Sequence, residues 1–363
     1  MPTTLGRFSL LNLFHRSPLV GNLSILSNLN YCTKQNHTEQ GFEDVGQKLL
    51  RVAVIGVPNA GKSTFINNLI NHRVCPTSNK VHTTRRSNRA VYTEKDTQIV
   101  LIDTPGLVTK TEMQKYNLGK KFSSSYRDSI QKSDIIAVVH DVSNSWTRNE
   151  FHPTVLETLN FYSKMPSFLI LNKIDLLKSK RVLLDLIKIL TNNTLSKSKK
   201  PIYKKSLSYD MDKSKEVGWS SFSNIFLVSA VTGDGLSEVM KWLLHEAKNE
   251  KWLFPAGTFT DETQEDIIVE SVRARLLDYL PQEIPYKLQT TLEYFNEEKN
   301  IIYASVQVAC PNLRLERLFR GESNGKLKQI TERITSDLVE TFNKPISLTI
   351  TTTISKSEKI LVN

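Results

Sequence analysis

Five apolar runs punctuate the first two thirds of the chain, at residues 51–57, 98–103, 134–142, 166–172 and 224–229. Each is short and ends on something polar, the pattern of a strand buried on both faces of a sheet. Between them lie stretches with apolar positions at helical spacing. One covers residues 65–70, and another opens after Gly235 with Leu236, Val239, Met240, Leu243 and Leu244 on one face. This alternation predicts an α/β domain over residues 46–253, doubly wound around a mostly parallel sheet. Residues 191–224 interrupt it. Their run Lys197-Ser198-Lys199-Lys200-Pro201, then Lys204-Lys205, has neither period and reads as a surface insertion, with an added contact to RNA phosphates as the sharper alternative.

Past the linker-like Phe254-Pro255-Ala256-Gly257 the order changes. Residues 262–280 read as helix, 287–295 and 301–309 as strands, then two helices about a turn, the second at 326–342, and a last strand at 346–354. A three-stranded sheet backed by helices is a smaller α+β module, here residues 258–363.

Ligands of open α/β sheets bind beyond the carboxyl ends of the strands, so the polar residues there are the candidates for chemistry. The first end reads GVPNAGKST from Gly56 to Thr64: a glycine, four residues, then Gly61-Lys62-Ser63 at a strand-to-helix turn. That is the spacing of a phosphate-binding loop, in which backbone N–H groups cradle phosphate oxygens, the lysine reaches the outer phosphates and the serine hydroxyl meets magnesium. Asn59, Ala60, Gly61, Lys62, Ser63 and Thr64 are its candidate residues. The bland alternative is a Gly-rich turn of structural use only.

The second end, Asp103-Thr104-Pro105-Gly106, offers a carboxylate suited to magnesium through water and a glycine N–H for a terminal phosphate. The fourth run closes on Asn172-Lys173-Ile174-Asp175. A carboxylate at Asp175 accepts from both the ring N–H and the exocyclic amine of guanine, a pair adenine does not offer. At the last end, Ser229-Ala230-Val231-Thr232-Gly233, a backbone N–H can donate to the guanine carbonyl. Four such segments in this order, each at a strand end, outweigh the structural alternative.

GVPNAGKST, the Thr83-Thr84-Arg85 segment, DTPGL, NKID and SAVTGDGL resemble the five motifs of the translation-factor-type GTPases and, more narrowly, those of the Era family of ribosome-assembly GTPases. The resemblance runs from about Arg51 to the end of the chain. It implies a P-loop GTPase switch with GTP and GDP as ligands and magnesium held by Ser63, Asp103 and Thr84, Thr83 being the close alternative. Lys62, Thr84 and the Gly106 N–H would then serve catalysis, and Asn172, Lys173, Asp175, Ser229 and Ala230 the base. One departure is chemically useful. Leu107 stands where many signalling GTPases carry a glutamine that orients the attacking water, so slow intrinsic hydrolysis is expected.

The second module is similar to the family's K-homology domain, which binds single-stranded RNA through a Gly-x-x-Gly turn between helices. Here the turn reads Gly321-Glu322-Ser323-Asn324-Gly325, with only the first glycine in register. Asn324 takes the place of the second, and Gly325 follows one residue late. Gly321, Asn324, Gly325 and Lys326 are the RNA-binding candidates. Arg314, Arg317, Arg320 and Lys328 add positive charge, and Glu322 puts an acid where a phosphate would pass.

Composition extends this picture. The 363 residues carry a formal charge of +11 with a pI near 9.4, which suits a polyanionic partner. Three widely spaced cysteines, Cys32, Cys75 and Cys310, argue against a disulfide framework or a zinc site, and nothing beside His140 or His245 has metal-ligand spacing. Residues 1–45 read as a mitochondrial transit peptide and leader: the first acid is Glu39, and Arg7, Arg16 and Lys34 are scattered among serines and broken apolar patches. No stretch has the roughly eighteen apolar residues of a membrane span. With the family resemblance, these features lead to an expected matrix protein that binds the rRNA of the mitochondrial small ribosomal subunit, and the subunit itself, with room for a peripheral contact with the inner membrane. Two readings compete: a tRNA-modifying GTPase, which would need an extra redox or one-carbon domain for which no segment is left, and a non-catalytic RNA-binding module with a vestigial nucleotide site.

Overall fold

β1 (Lys48–Ile55) is the axis of the larger domain, because its alternate residues feed two different cores. Val52 and Val54 point to one face of the sheet, Ala53 and Ile55 to the other. The computed structural model describes residues 46–77, 87–107, 120–193, 217–281 and 284–354. Around β1 the sheet runs β2-β3-β1-β4-β5-β6, formed by Asn88–Glu94, Thr97–Asp103, Lys48–Ile55, Ile135–Asp141, Ser167–Asn172 and Phe222–Val228. The pairs β1–β3, β1–β4, β4–β5 and β5–β6 are parallel. β2 is antiparallel to β3, and a two-residue β7 (Lys248–Asn249) is antiparallel to β1.

Helices α1 (Lys62–Ile70) and α5 (Leu236–Glu246) bury Phe65, Ile66, Val239 and Leu243 on one face. On the opposite face α2 (Lys120–Gln131), α3 (Pro153–Phe161) and α4 (Val182–Leu190) bury Ile130, Leu159, Leu186 and Leu190. The fold is therefore doubly wound, as the strand and helix alternation predicts.

One long strand escapes the sequence pattern and another starts earlier than expected. β2 reads NRAVYTE, too mixed for a buried run, and it is an edge strand. Its free side is covered from far along the chain: Val91 N–H donates to Phe259 O at 2.8 Å, and Arg89 N–H to Asp261 Oδ1 at 3.0 Å. β6 begins at Phe222, inside the segment 191–224 expected to be insertion, so that boundary moves inward. The Lys/Ser-rich run itself, residues 194–216, lies outside the described residues.

The smaller domain builds its own core from α6 (Gln264–Tyr279), β8 (Gln289–Glu298), β9 (Ile301–Cys310), α7 (Leu313–Arg320), α8 (Gly325–Phe342) and β10 (Ile346–Ile354). Its sheet runs β10-β9-β8, parallel then antiparallel. α6 starts where Thr263 Oγ1 accepts the Asp266 N–H at 3.1 Å, and α7 where Asn312 Oδ1 accepts the Leu315 N–H at 3.0 Å. Side chains tie the linker and the smaller domain to the larger one. Gln98 on β3 donates to Phe254 O at 2.9 Å and accepts from Leu253 and Phe254 N–H, each at 3.0 Å. Asp337 on α8 gathers Arg73, Arg275 and Arg333 from three elements.

Candidate nucleotide site and the basic turn

The carboxyl ends of β1, β3, β5 and β6 bring the sequence motifs onto one edge of the sheet. The loop after β1 turns into α1 through Gly61, whose φ of 93° is left-handed and where a Cβ would collide with the Asn172 side chain. Only glycine satisfies both conditions. Asn59 is also left-handed, at φ 62°, and Ala60 is buried. Lys62 is buried and folds back over the loop, its Nζ donating to Val57 O at 3.0 Å and Gly56 O at 3.3 Å. Burial pushes its pKa down to about 8, against the opposing pull of Asp103. An ammonium so placed serves an anion in the loop without reordering its long stem.

Ser63 Oγ donates to Asp103 Oδ2 at 2.7 Å, so the two predicted metal residues from different strand ends do meet. A hydroxyl and a fully buried carboxylate are hard oxygen donors, which is the donor set magnesium takes beside phosphates. Among the described residues no group of three His, Cys, Asp or Glu side chains could hold a metal. Thr84 and Thr83 lie outside the described residues. Thr64 follows Ser63 in the first turn of α1. Thr104 Oγ1 fastens the β3 end to Val54 O at 2.7 Å, and Gly106 packs against Pro58 of the phosphate loop. Leu107 N–H reaches Gly56 O at 3.0 Å while its side chain is buried with Ile55 and Ile136. Residue 107 therefore points into the core.

Asn172 turns out to be a tie between loops. Its Nδ2 donates to Ala60 O at 2.8 Å and its Oδ1 accepts the Ala230 N–H at 3.0 Å, with the side chain almost wholly buried. Asn68 of α1 also donates to Ala230 O. Of the backbone N–H groups in the segment expected to meet the guanine carbonyl, that of Ala230 is thus engaged by Asn172. Ser229 is buried and closes its own turn, its N–H donating to Asp234 O at 3.0 Å. Asp175, by contrast, is exposed on the short 3-10 turn Ile174–Leu176, where a carboxylate can meet a base edge. Lys173 is left-handed at φ 67° and its Nζ lies 2.6 Å from Asp141 Oδ2. Asp141 and Ser143 stand outside the sequence motifs, although Asp141 ends β4 as Asp103 ends β3. His140 is buried, its Nε2 2.9 Å from Arg148 O, and burial lowers its pKa.

In the smaller domain Gly321 ends α7 with φ 72°, and a Cβ there would come within 2.7 Å of the Lys326 side chain. The glycine is required by the chain's own turn. Asn324 is left-handed at φ 60°, consistent with its standing in for a glycine, and its Oδ1 accepts from Arg320 Nε at 2.8 Å. Gly325 is an ordinary first helical residue, φ −60°, with open space around it. Nothing in its geometry demands glycine. Arg314, Arg317, Arg320 and Lys328 are all exposed around this turn.

The family described as 50S ribosome-binding GTPase matches residues 51–173. The mitochondrial GTPase Era of Salmo salar is 32% identical over 343 residues, covering 83% of this chain and 75% of its own length. The chain belongs to the Era family of GTPases. GTPase Era of Coxiella burnetii is 30% identical over 297 residues, covering 82% of this chain and 89% of its own. A crystal structure of Era in complex with MgGDPNP and nucleotides 1506–1542 of 16S ribosomal RNA superposes with a TM-score of 0.69 at 23% identity, covering 86% of this chain and 95% of that one, and shows the shared fold. The protein is therefore a GTPase of the mitochondrial Era type, with a smaller K-homology-like domain after the P-loop domain.

Proposed function

We propose that this chain is a magnesium-dependent GTP switch of the mitochondrial matrix, which holds RNA of the small ribosomal subunit during its assembly and turns GTP into GDP and phosphate. The observation that carries the nucleotide half is the meeting of Ser63 and Asp103 at 2.7 Å beside the buried Lys62. In this reading the N–H groups of Asn59 to Thr64 cradle the phosphates and Ser63, Asp103 and Thr84 hold magnesium. Bound there, magnesium would neutralise charge on the phosphate oxygens. Lys62 and the Gly106 N–H stabilise the transferred phosphoryl group. Asp175 reads the guanine edge, Asn172 keeps the loops in register around it, Lys173 and the Ser229-Ala230 turn complete the pocket, and the buried Leu107 keeps turnover slow.

The RNA half rests on Gly321, Asn324, Gly325 and Lys326 in an exposed basic turn, on the +11 charge, and on an Era relative captured with 16S RNA. No helix among the described residues is long and apolar enough to cross a membrane, so contact with the inner membrane would be peripheral. The family description names the large subunit and the Era complex a small-subunit RNA. Crosslinking the protein in isolated mitochondria and sequencing the attached RNA separates these. Small-subunit rRNA is expected; large-subunit or cytosolic RNA alone would sink the assignment.

A further inference from the structure

The site contains one ion pair whose acid the GTPase motifs leave without a task. β4 ends on Asp141, whose Oδ2 lies 2.6 Å from Lys173 Nζ. Its Oδ1 accepts the Ser143 N–H at 2.8 Å and the Ser143 hydroxyl at 2.6 Å. The carboxylate is thus braced on one side and gripping a lysine on the other. Lys173 follows β5 in a left-handed conformation, and its Cε comes within 4.0 Å of the place a Cβ on Gly61 would occupy. The stem therefore lies along the phosphate loop, between Gly61 and the turn that carries Asp175. A nucleotide with its phosphates at Gly61 and its base edge at Asp175 has to cross that stem.

We infer that Asp141, braced by Ser143, is a positioning residue for the nucleotide: it anchors Lys173 Nζ so that the methylene stem forms a fixed apolar floor under the flat face of the base. This rests on the guanine-nucleotide reading above. A free lysine stem has many rotamers, and a ligand that packs on it must order them at a cost to affinity. Anchoring the ammonium to a braced carboxylate removes that freedom before the nucleotide arrives. The floor touches the ring face, which guanine and hypoxanthine share, whereas Asp175 reads the edge, where they differ by the exocyclic amine. Asp141 therefore sets residence time without setting base choice.

The test follows release of N-methylanthraniloyl-GDP, and of the matching IDP, from the full chain chased with excess unlabelled GDP. Asp141→Asn is expected to speed release about tenfold, the size of one charge-assisted hydrogen bond, and equally for both probes. Asp141→Glu should recover most of the loss. Lys173→Ala, which removes the floor itself, should release at least as fast as Asp141→Asn, and the double variant no faster than Lys173→Ala alone, because Asp141 acts only through Lys173. Additive effects, an unchanged rate in Asp141→Asn, or a changed ratio between the two probes would each overturn the inference. If Asp141→Asn does not fold by circular dichroism, Ser143→Ala carries the same test with an expected change of about threefold, half or less of a charge-assisted bond in free energy. A wild-type chain that binds neither probe would sink the nucleotide reading itself, whereas a binding wild type with an unaltered Asp141→Asn sinks only this step.

Discussion

The nucleotide edge and the α7–α8 turn both present glycines and basic residues, yet they are held in different ways. At the nucleotide edge the groups are tied to one another before any ligand arrives: Asn172 bridges Ala60 and Ala230, Ser63 meets Asp103, and Lys62 rests on two loop carbonyls. Such preorganisation is what stabilises a charged transition state without reordering the protein. At the turn, Gly321 accommodates Lys326 of the same chain, Arg320 is partnered by Asn324 and Glu316, and the other basic side chains stand in solvent. Electrostatic attraction to a phosphate backbone needs charge density more than fixed geometry, so a turn of this kind tolerates a displaced glycine.

The contrast can be broken at its strong side first. Lys62→Ala should lower single-turnover GTP hydrolysis by on the order of a hundredfold or more while leaving RNA affinity of the nucleotide-free chain unchanged. A variant hydrolysing at the wild-type rate would mean that the buried ammonium is structural. The next largest effect should fall between the two regions. Asp337→Asn takes the common carboxylate from Arg73, Arg275 and Arg333, of which Arg73 keeps Glu340 and Arg275 keeps Asp278, and is expected to cost about 2 kcal/mol in urea unfolding, the size of one charge-assisted hydrogen bond. A loss within measurement error would show that the Asp337 cluster adds nothing to the contacts that β2 and His72 make with residues 259–261.

The turn is sharpened by two glycines of opposite kind. Gly321→Ala should destabilise the smaller domain by about 1–3 kcal/mol, because alanine is strained at φ 72° and meets Lys326. Gly325→Ala should stabilise it by up to about 1 kcal/mol, since position 325 is helical and open. If Gly325→Ala also abolishes RNA binding, the open space beside it is where the RNA backbone passes.

The smallest effect concerns pH. His140 has a lowered pKa through burial, so the unfolded chain binds its proton more readily than the folded one. Stability should fall as pH drops through the ordinary histidine range towards the lower folded value, by at most about 1.4 kcal/mol per pH unit. His140→Gln should flatten that part of the urea-midpoint profile, and an unchanged slope would assign the acid sensitivity elsewhere.

Much of the nucleotide edge was legible because each residue there has one geometric reason for its identity. Gly61 is left-handed and pressed against Asn172, and Asp103 ends a strand buried on both faces. β2 was not legible. Its mixed composition makes sense only with residues 259–261 lying over its edge, more than 160 positions later. Asp141 was visible as an acid closing a strand, but its partner, 32 positions on, was not. At the turn, Asn324 was readable as a left-handed residue, whereas the ordinary helical state of Gly325 could be learned only from its backbone.

By itself the sequence determined five strands of the larger sheet, the order of elements in the smaller domain, the chemistry at the strand ends and the family, because hydrophobic periodicity and motif spacing are local properties of a chain. The tertiary structure alone decided that Asn172 ties loops together, that Leu107 faces the core, that Asp141 grips Lys173 and that Asp337 gathers arginines from both domains. Each of those depends on residues brought together from distant positions, where burial and hydrogen bonding, and not spacing, set what a side chain does.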